Sequence, residues 1–202
     1  SREFFSLAEL EDLFSLEKLN KSSSTFDYKK LEWFNGQYIR QKTKEQVKEL
    51  ILPYLKEDSA VAAVLDSERG EEVLAGVINL VHERLKLLQD VLPLTRFLFL
   101  DSVDYETEEL VPKKKDAQET LKICEKLKEL FQNFSDSDEE NENMFREAAN
   151  ELGVKLGDLL QPLRVAITGS RVSPPLFESL RLLGLDKCAE RVEKAIIKLK
   201  KL

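Results

Sequence analysis

The chain has 202 residues, 42% of them hydrophobic, 34% charged and 8% aromatic, enough for one substantial core or two small ones. That composition excludes a disordered tail, and no apolar run approaches the roughly 18 residues of a membrane span, so neither a transmembrane nor a secretory segment is expected. Two cysteines without CxxC spacing, Cys124 and Cys188, and a single histidine, His82, remove most zinc sites and histidine-based nucleophile triads.

Apolar residues recur at helical spacing almost throughout, with no competing strict alternation, so the expected fold class is all-α. Ser6 is placed to cap a first helix that puts Leu7, Leu10, Leu13 and Phe14 on one face. After the polar break Asn20-Lys21-Ser22-Ser23-Ser24, Asp27 can cap a helix with Tyr28, Leu31, Phe34 and Tyr38 on one side. Asn35-Gly36 reads as part of that helix, because no strands flank the pair. Thr43 with Gln46 fits a capping box ahead of Val47, Leu50 and Ile51, and Pro53 is expected to end or bend that helix. A short apolar stretch, Ala60 to Leu65, follows. The longest helix is predicted to start near Glu71, run through Val73, Leu74, Val77, Ile78, Val81 and Leu85, and stop before Pro93.

The acidic, turn-rich segment Asp101 to Pro112 is the best internal boundary, since apolar periodicity lapses there. Beyond it come a helix around Leu121, Cys124, Leu127, Leu130 and Phe131, an acidic loop from Ser135 to Asn143, and a helix with Phe145, Ala148, Ala149 and Leu152 closed by Gly153. The run Leu163 to Gly169 follows Pro162. Ser173 as cap and Pro174 as first helical residue predict a sharply started helix that ends near Gly184. A last helix turns Ala189, Val192, Ala195, Ile196 and Leu199 inward.

The net charge of −7 argues against a uniformly basic nucleic-acid coat, so local distribution decides. From Arg164 onward nine Lys and Arg stand against the four acids Glu178, Asp186, Glu190 and Glu193, and that end is basic. The acidic runs around Asp104 and Asp138 read as solvated loops. There is no GxGxxG, P-loop, HExxH or GxSxG, and no carboxylate pair is singled out by its spacing. Cys124 and Cys188 lie on apolar helix faces and read as small core residues; Trp33 and Tyr38 read as core as well. His82 either faces solvent or caps a neighbour.

The segment Pro162 to Glu178 is the most informative. Two prolines at a helix start remove amide donors, which makes a poor phosphate cradle. Their rings with Phe177 can offer a flat surface to an unstacked base, with Arg164 and Arg171 beside it. The competing reading is that Leu176 and Phe177 are core. Composition alone equally fits an acidic helical protein-interaction scaffold.

Pro162 to Phe177, continuing through Glu178-Ser179-Leu180-Arg181-Leu182-Leu183-Gly184, resembles the C-terminal anticodon-binding signature of bacterial-type glutamyl-tRNA synthetases. Phe26-Asp27-Tyr28-Lys29-Lys30-Leu31-Glu32-Trp33-Phe34-Asn35-Gly36-Gln37-Tyr38-Ile39-Arg40 resembles the segment after that family's KMSKS region, and Phe5 to Leu10 fits too. Neither the HIGH nor the KMSKS signature occurs here. The resemblance therefore implies the tail of the stem-contact region at 1–24 and two consecutive helical anticodon-binding subdomains at 25–108 and 109–202. It implies no catalytic or metal-binding residue within them. It further implies a full-length glutamate-tRNA ligase that uses ATP and Mg2+, with this portion inactive alone. By the same resemblance Arg164 matches the arginine that reads the first anticodon base, and Ser173, Pro174, Leu176 and Phe177 match the anticodon-loop surface. Arg84, in His82-Glu83-Arg84-Leu85-Lys86, matches the arginine that reads the third base; the other reading of Arg84 is a solvent-facing residue on a long helix. The implied partners are tRNA(Glu) and, in a glutamine-tolerant enzyme, tRNA(Gln), with neither DNA nor membrane among them. The implied setting is a cytoplasmic monomer.

Overall fold

The structure, a computed structural model, describes residues 3–18 and 25–202. It has twelve α-helices among these residues and no strand: α1 Leu7–Leu13, α2 Tyr28–Arg40, α3 Lys44–Leu55, α4 Ser59–Leu65, α5 Glu68–Val81, α6 Val91–Phe99, α7 Thr107–Leu110, α8 Ala117–Leu130, α9 Asp138–Glu151, α10 Leu156–Thr168, α11 Leu176–Leu183 and α12 Leu185–Leu199. The all-α expectation holds. No helix among the described residues is long and apolar enough to cross a membrane. The polar break Asn20 to Ser24 lies outside the described residues.

The expected caps at Ser6, Asp27 and Thr43 form. Each side chain accepts the backbone N–H three residues on, and Ser6 with Glu9 and Thr43 with Gln46 complete capping boxes. Gly153 closes α9 in the left-handed conformation, with its N–H donated to Asn150 O at 3.0 Å and that of Val154 to Ala149 O at 2.9 Å.

Several boundaries differ from the sequence reading, each for a local reason. α5 begins at Glu68 because Ser67 Oγ accepts the Gly70 N–H, and it ends at Val81, so Leu85 is buried outside the helix. Pro93 does not stop a helix but stands in the first turn of α6, where its missing N–H has no intrahelical acceptor to lose. The expected Ser135–Asn143 loop is mostly helix. Ser137 caps α9, whose first turn holds Asp138, Glu139 and Glu140 against the positive end of its dipole. Pro162 lies inside α10, buried, and the helix continues to Gly169, whose φ of +74° ends it.

Two packed groups face each other. In the first, α3, α4, α5 and α6 pack on one another; in the second, α12 lies along α8 and α10, with α7 and α9 against α10. α11 bridges them, touching α5 and α6 on one side and α9 and α12 on the other. Close approach depends on small residues. A Cβ on Gly70 would stand 2.0 Å from the backbone oxygen of Val64, so α5 seats α4 only through glycine, whereas one on Gly76 would stand 2.3 Å from Leu182 Cδ1, the flexible end of a side chain on α11.

The N-terminal helices behave differently. Trp33 and Tyr38, expected in the core, are 42% and 50% exposed, and Leu7, Leu10, Leu13 and Phe14 lie open as well. Phe4 gathers Trp33, Phe34 and Tyr38 into a ring cluster with centroids 5.0–5.8 Å away. Helical spacing aligned these side chains as expected, but no further element among the described residues covers them.

Candidate nucleic-acid interface

α10 turns Leu159, Leu163, Ala166 and Ile167 into the core and leaves Arg164 half-buried at its edge. Burial pulls the Arg164 pKa below the usual arginine value, although a guanidinium stays protonated in proteins. Its Nη1 donates to Ser173 Oγ, across the loop that joins α10 to α11. That loop is held by short-range bonds: Thr168 Oγ1 accepts the Ser170 N–H at 3.2 Å, and Ser170 Oγ accepts the Val172 N–H at 3.1 Å. The loop thereby presents Arg171 and Val172 to solvent, Val172 at 71% exposure. Arg171 was visible from sequence; the open apolar tip at Val172 was not, since nothing in its spacing marks it.

Ser173 does not cap α11. Its hydroxyl donates to Pro174 O at 2.8 Å and accepts from Arg164, while α11 begins only at Leu176, after Pro175. Pro174 and Leu176 are buried, and Phe177 is half-buried, packed on Phe145 and Phe134 at centroid distances of 5.2 and 6.0 Å. The flat stacking surface expected at Pro174, Leu176 and Phe177 is thus largely turned inward: Pro174 and Leu176 are buried, and the half-buried Phe177 lays its ring against Phe145 and Phe134. Of the residues matched to the anticodon-loop surface, Ser173 and Phe177 stay partly accessible, Ser173 directly beside Arg164.

Arg84 lies beyond the end of α5, in an exposed turn, and not on a helix. α2 clamps this turn from one side. Asn35 Nδ2 donates to Lys86 O at 2.5 Å, Arg40 Nη1 donates to Glu83 O at 3.2 Å, and the buried His82 places Nε2 3.2 Å from Ile39 O. His82 thus does not face solvent; its ring meets a carbonyl of the last turn of α2, the capping alternative, and joins that helix end to the turn. Arg84 shares a groove of about 540 Å³ with Gly76 and Asn79 of α5 and with Glu178, Arg181 and Leu182 of α11. α11 consequently connects the two arginine sites, with the Arg164–Ser173 loop at its start and the Arg84 groove along its flank. Arg181 is itself held by Asp138 at the start of α9.

Cys124 and Cys188 are fully buried, and burial pushes both thiols up to about 12. They are inert core residues, as their helix faces suggested. Among the described residues no three His, Cys, Asp or Glu side chains are grouped to hold a metal ion.

The anticodon binding domain family matches residues 42–196. The chain is 39% identical, over an alignment 214 positions long, to the glutamate-tRNA ligase of Treponema denticola, covering 96% of this chain and 42% of that protein. It is 42% identical over 195 residues to the glutamate-tRNA ligase of Borreliella burgdorferi, covering 96% and 40%. A crystal structure of a glutamate tRNA ligase from Elizabethkingia meningosepticum matches with a TM-score of 0.61 at 26% identity, over 96% of this chain and 37% of that one. The chain thus spans about 40% of the length of the curated relatives it matches. With more than half of its residues inside the family's match, the chain belongs to the anticodon binding domain family.

Proposed function

We propose that this chain is the tRNA-reading portion of a glutamate-tRNA ligase, binding tRNA(Glu) as a monomer and presenting its anticodon to Arg164 and Arg84. The similarity of nearly the whole chain to two-fifths of proteins named glutamate-tRNA ligase carries the proposal. Arg164 is suited to reading a base because Ser173 holds its guanidinium at a loop that also exposes Arg171. Half-burial strengthens a charge-assisted contact relative to a fully solvated one. Arg84, clamped by α2, supplies the second reading point. ATP, Mg2+ and glutamate activation belong to the remainder of such an enzyme, whose HIGH and KMSKS signatures this sequence lacks. Glutamine tRNA is the partner of a relaxed variant.

The test is filter binding with tRNA(Glu) against unlabelled competitor RNA, together with glutamate-dependent ATP–pyrophosphate exchange. Competed, salt-sensitive binding is expected, with log affinity falling by about 0.7 to 0.9 per neutralised phosphate for each unit of log salt concentration. No exchange is expected from this chain. Exchange would overturn the view that activation lies elsewhere. Absence of tRNA binding would favour a second reading, a helical protein-interaction scaffold, to which the open apolar faces of α1 and α2 lend support.

A further inference from the structure

Arg191, in the second turn of α12, is 2% exposed, and no ion pair among the described residues includes it. Its guanidinium is surrounded by main-chain carbonyls. Nη1 donates to Ile167 O, and Nη2 donates to Phe97 O at 2.9 Å and Leu100 O at 2.5 Å. Phe97 and Leu100 are at the C-terminal end of α6, and Ile167 is the penultimate residue of α10. At both places helix geometry leaves carbonyls without intrahelical partners, and the helix dipoles put partial negative charge there. Two helix ends, one from each packed group, therefore converge on a single cation carried by a third helix.

Stability alone gives a poor account of this arrangement. Replacing a buried charge by an apolar side chain of similar volume is often neutral or stabilising, and Arg191 Nε is buried here without a protein acceptor. A planar guanidinium does provide what an apolar side chain cannot: directional bonds that fix two helix ends at one distance and angle. Those ends carry the candidate reading residues. Arg164 precedes Ile167 by three residues on α10, and α6 packs on α5, whose following turn holds Arg84.

We infer that Arg191 is a positioning residue, a tie that sets the placement of Arg164 relative to Arg84 and so the anticodon discrimination of the chain. The tie itself stands on geometry; its consequence for RNA rests on the function proposed above.

Spin labels at Lys48→Cys on α3 and Glu147→Cys on α9, both exposed, report the placement of the two groups while the buried native thiols stay unlabelled. Electron–electron distance measurement is expected to give one narrow distribution for Arg191, broadened in both Arg191→Lys and Arg191→Met while helicity is retained. An unchanged distribution in either folded variant would overturn the tie. Arginine side-chain NMR of the unsubstituted chain tests the same contact without any variant: slow, resolved Nη protons are expected for Arg191, and rapidly averaged ones would overturn it. With tRNA(Glu), Arg191→Lys is expected to lose about tenfold in its preference for the native anticodon over a swapped one, with total RNA affinity changed far less. Broadening without that loss would overturn the positioning role. If the unsubstituted chain shows no preference, the tRNA reading fails while the distances and NMR still judge the tie.

Discussion

α1 and α12 carry the same kind of amphipathic spacing and come to opposite ends. Cys188, Val192, Ala195 and Ile196 of α12 are at most 3% exposed, whereas Leu7, Leu10 and Leu13 of α1 are between 49% and 74% exposed. Apolar periodicity states that a face needs a partner; whether one is present depends on the rest of the fold. α12 has α8 and α10 along it. The open side chains of α1 and α2 precede residue 42, where the family match begins, so the boundary between covered and uncovered faces coincides with the start of the anticodon binding domain.

The sharpest way to break this contrast is truncation on each side of it. Phe145→Ala, at a fully buried ring in contact with Phe134 and Phe177, is expected to cost about 3–5 kcal/mol in denaturant unfolding. Trp33→Ala is expected to cost less than about 1 kcal/mol, and an equal cost at both sites would erase the distinction. The glycines at the helix crossings come next. Gly70→Ala would meet the rigid Val64 carbonyl and is expected to cost about 1–3 kcal/mol, more than Gly76→Ala, whose obstacle is the movable end of Leu182.

Asp58 sharpens the picture through pH. It caps α4 and accepts from Arg96 Nε at 2.6 Å, a tie between α4 and α6 that holds its carboxyl below the usual range. A depressed folded-state pKa stabilises the fold at pH values above the unfolded carboxylate pKa, and this contribution is lost as pH falls through the folded value. Asp58→Ala is therefore expected to cost about 1–2 kcal/mol near neutrality, shrinking toward zero in acid, as urea midpoints across pH would record. The smallest effect belongs to the open face: Leu10→Ser should leave unfolding within about 0.5 kcal/mol of the parent while lowering binding of a hydrophobic dye.

What was legible in the sequence was local. Ser6, Asp27 and Thr43 declared their helices because a cap is a bond between residues three apart, and Gly153 declared an end because its conformation is intrinsic. What was illegible was tertiary. Pro93 is accommodated because α6 has begun two residues before it, at Val91, and Phe177 is packed because Phe134 and Phe145 come to meet it from elsewhere in the chain. At the candidate interface the sequence brought forward Arg164 and Ser173, which the structure joins, and Arg84, which it places along the other flank of α11. Arg191 was counted only among the basic residues of the C-terminal end. Its three carbonyl acceptors come from positions 24, 91 and 94 residues away, so no local pattern announces them.

The central claim, that this chain reads an anticodon through Arg164, is tested most directly by titrating it and its Arg164→Ala variant with tRNA(Glu) and with the same tRNA carrying a swapped anticodon, at two salt concentrations. The account predicts that the unsubstituted chain prefers the native anticodon at both salts and that Arg164→Ala removes about 1–3 kcal/mol of that preference. Equal affinity of the unsubstituted chain for the two tRNAs would contradict it.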